Sequence, residues 1–364
     1  MKRKILIGPM NDENVGSIAS LNRAFVDGLS NDFEFIPLNI SRKYGKSKLS
    51  KFNILNIFYF IKQYFLLIYY VLKHKPDVMH YSINSNWSLE KSLLFLNTAK
   101  FFGAKKAIGH LHGGAFNVFM DNMNAFRKKT SLKLFFNIDL IVVASSYWKE
   151  YLTNNGIKSQ IEIVNNPIDL KYLSGIDKAL NCDRIGNFLF IGSLGQRKGV
   201  YDIIDVCNNE QVDFKLDLIG AEDKTHDLKK ITNLIKENQL DSKINLIISE
   251  KLSINDKVKF FTESQVFLFP THNENFPLVI LEAACAGIPI ISTPVGAIPE
   301  FFTHMENIYF IEPGNINEIA EAIHFMKTNI TERERLGKAA RHTYETKLSN
   351  NIVMNQLKKV YETL

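Results

Sequence analysis

The sequence predicts an α/β protein built on two parallel sheets, and three observations predict it. Apolar runs of strand length alternate with helical patterns from end to end. The runs fall into two series of six, separated by a stretch with no strong period. At 364 residues the chain also exceeds one ordinary domain, and 46% hydrophobic residues are enough to fill two cores.

The first series reads KILIG (4–8), FEFIPL (33–38), DVMHYS (77–82), KAIGHLH (106–112), DLIVVA (139–144) and IEIV (161–164). Between its second and third runs lies FNILNIFYFIKQYFLLIYYVL (52–72), nearly long enough to span a bilayer. Lys62 and Gln63 sit at its centre, where charge is expensive, and a parallel crossover requires a helix at this place. It therefore reads as a crossover helix, buried or partly exposed, while the preceding SRKYGKSKLSK keeps a membrane-surface contact open. NNPIDLKYLSGIDKALNCDRIG (165–186), with its Asn-Pro and glycines, reads as the linker region. The second series follows as NFLFIG (187–192), FKLDLIG (214–220), INLII (244–248), VFLFP (266–270), IPIIST (288–293) and IYFIE (308–312). Helical spacing of Ile352, Leu357 and Val360 marks a last helix with no sheet of its own. The expected organisation is a first domain over 1–168, a second over 169–348, and a helix over 349–364 that returns to pack on the first.

The net charge of +6 conceals an asymmetry. Residues 1–168 hold 22 Lys and Arg against 11 Asp and Glu, a charge of +11, and the remainder is at −5. A basic half attracts an anionic partner. No nucleic-acid motif is visible, so an anionic membrane or a phosphorylated substrate is the expected one. Three cysteines, Cys182, Cys207 and Cys285, do not make a disulfide framework, and no leader precedes the first strand-like run, so a cytoplasmic setting is expected. There is no D-x-D, H-E-x-x-H or paired C-x-x-C, so neither a metal nor another cofactor is expected.

Two stretches carry chemistry. FIGSLGQRKGV (190–200) is a strand, a glycine turn, two adjacent cations and a helix start; its glycines admit close backbone approach, and Arg197 and Lys198 bring charge suited to phosphate. A surface turn with solvated cations is the plainer reading. The second stretch, PTHNENFPLVILEAACAGIPIISTPVGAIPE (270–300), places Glu274 in a polar loop and Glu282 eight residues later. A helix starting near Pro277 puts Glu282 on its second turn, so a loop carboxylate and a helix carboxylate face one cleft. That suits a polyhydroxylated ligand. AIGHLHGGAF (107–116) ends a strand in His110 and His112, of which His112 is at the carboxyl-end mouth. GPMNDENVGSIAS (8–20) has Gly16 before a helix start; a turn capped by Asn14 accounts for it nearly as well.

Taken together, GSLGQRKG, ENFPLVILEAACAGIP and GAIPE resemble the motifs of the retaining glycosyltransferases of the GT-B fold, glycosyltransferase family 4. The resemblance runs over essentially the whole chain and is most specific over 190–300. It implies two Rossmann-like domains facing a deep interdomain cleft. It makes Lys198 the cation on the donor diphosphate, Glu274 the acceptor of hydrogen bonds from the transferred sugar, and Glu282 the partner of the ribose hydroxyls. The backbone at Asn275, Phe276 and Leu278 would line the sugar and phosphates. His112 fits the family's sugar-contacting histidine better than His110, and Gly16 stands where a glycine pair approaches the donor phosphate. Two departures are evident. Ser193 replaces the family's arginine, which leaves Arg197 to supply the second positive charge, and Asn275 replaces a glycine beside the sugar pocket.

The implied reaction is transfer of a sugar from a UDP- or GDP-sugar to an acceptor hydroxyl with retention, without a metal. Abundant Lys, Asn and Ile and the basic first domain point to bacterial envelope polysaccharide or lipopolysaccharide assembly on a glycan or lipid-linked acceptor, at the inner face of the membrane. The alternatives are a GT-B-type nucleotide-sugar epimerase, which would turn over without an acceptor, and a non-catalytic sugar-nucleotide-binding subunit, which would bind donor and transfer nothing.

Overall fold

The computed structural model describes residues 2–10, 17–40, 54–113, 116–179, 184, 186–209, 213–223, 227–250 and 252–364. Gly16 and the basic stretch at 41–51 lie outside the described residues. The chain divides into two compact units, one of Met1–Pro167 with Asn351–Leu364 and one of Ile168–Asn350.

The first unit holds β1 (Lys4–Met10), β2 (Glu34–Asn39), β3 (Val78–Ile83), β4 (Lys106–Leu111), β5 (Leu140–Val143) and β6 (Gln160–Ile163). They pair in parallel in the order β2-β1-β3-β4-β5-β6. Its helices are α1 (Ser17–Leu29), α2 (Ile54–His74), α3 (Trp87–Phe101), α4 (Phe116–Asp121), α5 (Ala125–Phe136) and α6 (Ser146–Asn154). The inner strands β3, β4 and β5 are buried almost throughout because both sheet faces are covered there, whereas the edge strands β2 and β6 carry exposed polar residues. On one face Leu67 and Val71 of α2, Leu93 and Leu96 of α3, and Phe135 of α5 pack on Met79 and Ile141. On the other, Phe25 and Leu29 of α1 meet Ile5, Ile108 and Val142. α2 is thus the crossover helix required between β2 and β3. No helix of the described residues is long and apolar enough to cross a membrane.

The C-terminal helix, Asn350–Thr363, lies on the α1 face, where Val353, Leu357, Val360 and Tyr361 are buried. Leu357 and Val360 face inward as the spacing suggests, whereas Ile352 is only partly buried and Val353 beside it is fully buried.

The second unit holds α7 (Leu170–Ala179), β7 (Phe188–Ile191), α8 (Val200–Cys207), β8 (Leu216–Gly220), α9 (Leu228–Glu237), β9 (Ile244–Ile248), α10 (Ile254–Glu263), β10 (Phe267–Phe269), α11 (Leu278–Ala286), β11 (Ile290–Ser292), α12 (Ile298–Phe301), β12 (Tyr309–Phe310), α13 (Ile316–Thr328) and α14 (Ile330–Thr343), and the C-terminal helix above is α15. Its strands are parallel in the order β12-β11-β10-β7-β8-β9. The stretch at 165–186 departs from the linker reading. Asp169 Oδ1 accepts the backbone N–H of Lys171 at 2.8 Å and starts α7, which buries Tyr172 and Ile176 and lies against Val258 of α10 through Gly175. The i, i+4 pair Tyr172 and Ile176 was the overlooked helical signal.

Candidate functional site

In the second sheet the strand order reverses between β7 and β10, the place where open α/β sheets accommodate ligands beyond their strand ends. Both chemistry-bearing stretches emerge there. After β7 the chain turns through Ser193, forms one 3-10 turn over Gln196–Lys198, and enters α8 through Gly199 at φ 75°. A Cβ on Gly199 would collide with the Pro270 carbonyl at the end of β10, so only glycine lets the two strand ends approach this closely.

Main-chain and side-chain bonds then fasten the turn to the loop after β10. His272 donates its backbone N–H to the Arg197 carbonyl at 2.9 Å, and the Thr271 hydroxyl lies 3.1 Å from the same oxygen and 3.2 Å from Glu274 Oε1. Lys198 Nζ pairs with Glu274 Oε1, and Arg197 Nη1 donates to that oxygen at 3.1 Å and to the Asn273 carbonyl at 2.9 Å. Burial lowers the Lys198 pKa; Glu274 opposes this shift, and the neighbouring Arg197 adds to it. Arg197 itself reaches solvent. His272 Nε2 lies 2.6 Å from Asp202 on the first turn of α8, a contact that fixes the loop on the helix.

Glu274 and Asn275 are held from behind by the GAIPE turn. Gly296 has φ 60° and packs on their backbone, and Ala297 donates to the Asn275 carbonyl at 2.8 Å. The Asn275 side chain is buried, and Phe276 stacks on Phe301 with ring centroids 5.2 Å apart, so the Phe276 ring belongs to the packing. Pro277 then caps α11, whose first residue is Leu278.

Glu282 does fall on the second turn of α11. It is only 4% exposed, its Oε1 accepts from Lys257 Nζ at 2.6 Å, and its Oε2 has no hydrogen-bond partner among the described residues. Burial raises its pKa, and the Lys257 charge opposes the shift. The two carboxylates therefore sit in separate ion pairs. Lys257, His272 and Asp202 were not singled out in the sequence, where a Lys on α10 and an Asp on α8 look like ordinary helix-surface charges.

In the first unit, His80, His110 and His112 form a stack. His80 Nδ1 meets the Tyr361 hydroxyl, His80 Nε2 lies 3.1 Å from His110 Nδ1, and the rings of His110 and His112 are 4.1 Å apart. The outer Nε2 atoms of His110 and His112 are enclosed without a partner among the described residues. Burial pushes His80 down to about 3 and His112 down to about 4, so all three rings are neutral near pH 7. His112 lies just past the end of β4 and is partly accessible, whereas His110 is fully buried.

Over its full length the chain superimposes on a sucrose-phosphate synthase from Thermosynechococcus elongatus with a TM-score of 0.78 and on HepE from Anabaena with 0.74, covering 99% and 100% of those chains at 16% and 15% identity. The chain has the GT-B fold. Residues 185–343 match the family model for glycosyl transferases group 1. Among curated proteins, CapM, a capsular polysaccharide biosynthesis glycosyltransferase of Staphylococcus aureus, is 28% identical over 223 residues, covering 58% of this chain and 53% of CapM. A 41.2 kDa protein of a Klebsiella pneumoniae cps region is 24% identical over 322 residues, covering 82% of each chain. The match spans between half and two thirds of the first two curated relatives' own length. Every motif residue described in the second GT-B unit, from Ser193 to Glu300, lies inside the family segment.

Proposed function

We propose that this chain is a glycosyltransferase that moves a sugar from a UDP- or GDP-sugar to an acceptor hydroxyl, with retention and without a metal, in bacterial envelope polysaccharide assembly. The observation that carries the reading is the shared grip of Lys198 and Arg197 on Glu274 at the β7–β10 switch point. Lys198 is acted on by Glu274 and also by Asp223, while Arg197 reaches solvent and holds the Asn273 carbonyl shortly before the amino end of α11, where backbone N–H groups favour anions. A diphosphate that pairs with Lys198 and Arg197 competes with Glu274 for them. The freed carboxylate then accepts hydrogen bonds from the sugar hydroxyls, and the same cations stabilise charge on the departing diphosphate. Glu282, with one oxygen held by Lys257 and the other buried without a hydrogen-bond partner among the described residues, is the carboxylate the reading assigns to the ribose. The names of relatives in capsule and cps contexts support the polysaccharide assignment, and the UDP and glucose bound in HepE support a nucleotide-sugar donor.

The test is a donor panel followed by transfer assays. Arg197→Ala should weaken nucleoside diphosphate binding by about 1.5–3 kcal/mol, as for a lost charged hydrogen bond. Glu274→Ala should leave bare nucleoside diphosphate binding intact or tighter, while transfer falls roughly 100-fold or more through loss of positioning. Transfer that persists in chelator supports the metal-free form. Donor consumption without an acceptor would favour an epimerase, and the absence of nucleotide binding altogether would overturn the reading.

A further inference from the structure

The basic character of the first unit is concentrated in one helical layer. α2, α3 and α5 cover the same sheet face, and together they carry eight Lys and Arg against a single acid, Glu90, which is held by Arg127. α1, on the opposite face, carries one cation and one acid. The same layer exposes its largest apolar side chains. On α2, Phe58, Ile61, Phe65, Tyr69 and Leu72 recur at three- and four-residue spacing on one stripe, with Phe58 67% and Phe65 65% exposed. Lys62 and Lys73 flank this stripe, and Lys73 Nζ lies 5.3 Å above the Tyr69 ring. Phe101 at the end of α3 and Phe136 at the end of α5 extend the exposed surface.

Four of the cations are engaged within the unit, Lys100 with Asp139, Arg127 with Glu90, Lys91 with Gln63 and Lys128 with Asn155, whereas Lys62, Lys73, Lys129 and Lys133 and the apolar stripe of α2 face outward. The inward side of α2 already supplies Leu67 and Val71 to the core, with Phe60 stacked on Phe95 of α3. A helix that buries one side in its own protein and presents aromatics edged by lysines on the other has the composition of an interfacial contact with lipid. An acidic protein partner would satisfy the lysines but would not require so many exposed aromatic rings. An anionic bilayer satisfies both, with rings entering the headgroup boundary and lysines meeting lipid phosphates.

We propose that the outer surface of the α2–α3–α5 layer is a reversible docking face for an anionic lipid bilayer. The inference rests on this layer alone and stands whether or not the donor reading holds.

The test uses the full chain and vesicles of phosphatidylcholine, with or without an equal part of phosphatidylglycerol. At low salt the protein should sediment with the anionic vesicles, much less with the neutral ones, and be released as salt screens the lysines. The combined variant Phe58→Ser, Phe65→Ser, Tyr69→Ser should weaken vesicle affinity about tenfold or more, because it removes the inserted rings. A second combined variant, Lys62→Glu, Lys129→Glu, Lys133→Glu, should abolish the preference for anionic lipid. Thermal unfolding of each variant checks that the fold survives, and the charge variant keeps the test decisive if the aromatic one does not. Protein that stays in the supernatant, or sedimentation that neither variant alters, overturns the proposal. So does a lipid-free dimer that the aromatic variant dissociates, since that would assign the face to a second copy of the chain.

Discussion

Glu274 and Glu282 stand eight residues apart in one motif and meet opposite environments. Glu274 shares an accessible cluster with two cations, one of which reaches solvent, whereas Glu282 is sealed in the α11 packing with Lys257 as its counter-charge. Removing one partner of such a buried pair leaves an uncompensated charge. Lys257→Met should therefore destabilise the second unit by about 3–5 kcal/mol, read from its urea midpoint at pH 7. Adding Glu282→Gln should recover most of that loss. The sign with pH follows from the raised Glu282 pKa: the unfolded chain holds this carboxyl ionised at lower pH than the folded one does, so acidification toward pH 5 should partly restore Lys257→Met. A Lys257→Met protein as stable as the parent at pH 7 would contradict this account.

The strand–turn–helix from β7 to α8 is the element that builds the candidate site, and one glycine holds its geometry. Gly199 is left-handed and faces the Pro270 carbonyl, whereas Gly156, also left-handed at φ 82°, has open space around its Cβ position. Gly156→Ala should show only backbone strain, roughly 1–3 kcal/mol. Gly199→Ala adds a collision with β10 to that strain and should lower stability beyond the roughly 1–3 kcal/mol of strain alone. It should also displace Lys198 from Glu274. Comparing the two thermal unfolding midpoints checks this. At this scale the sequence is highly legible: each of the twelve apolar runs coincides with a strand among the described residues, and the inner ones are the most apolar because both their faces are covered. α7 was illegible as a helix because its two core residues, Tyr172 and Ile176, lie among turn-forming Asn, Pro and Gly that dominate the local signal.

At the scale of the molecule, the two units differ in their response to acid. Three neutral histidines are stacked in the first unit, bound to Tyr361 of α15. Their folded pKa values lie below the ordinary 6.5, so the unfolded chain binds protons that the folded chain refuses. The associated stability is complete above pH 6.5 and is lost as pH falls from there toward 4. His80 and His112 each account for about 3 kcal/mol of that loss by pH 4, at 1.36 kcal/mol per pH unit of displacement. Both tryptophans, Trp87 and Trp148, lie in the first unit, and Trp148 is buried, so tryptophan fluorescence reports this unit alone. Its acid transition should precede the loss of helical circular dichroism from the second unit and should move to lower pH in His80→Phe. Coincident transitions would contradict the assignment.

The sequence by itself determined the alternation of strands and helices, the two-sheet division, the basic first half and the two motif stretches that the candidate site is built from. Each of these is written in local pattern: apolar runs, glycines before cations, and a helix start at Pro277 that sets Glu282 on its second turn. Only the tertiary structure decided which charges meet. Lys198 and Glu274 are 76 residues apart, Lys257 and Glu282 are 25 apart, and His80 and Tyr361 are 281 apart, and no local pattern encodes such pairings. The first arises because the strand order reverses between β7 and β10, the second because α10 and α11 pack side by side, and the third because α15 returns to the first sheet. The physical reason is that an ion pair or a stacked ring depends on distance in space. Distance in space is set by how the sheets order their strands, which no single segment records.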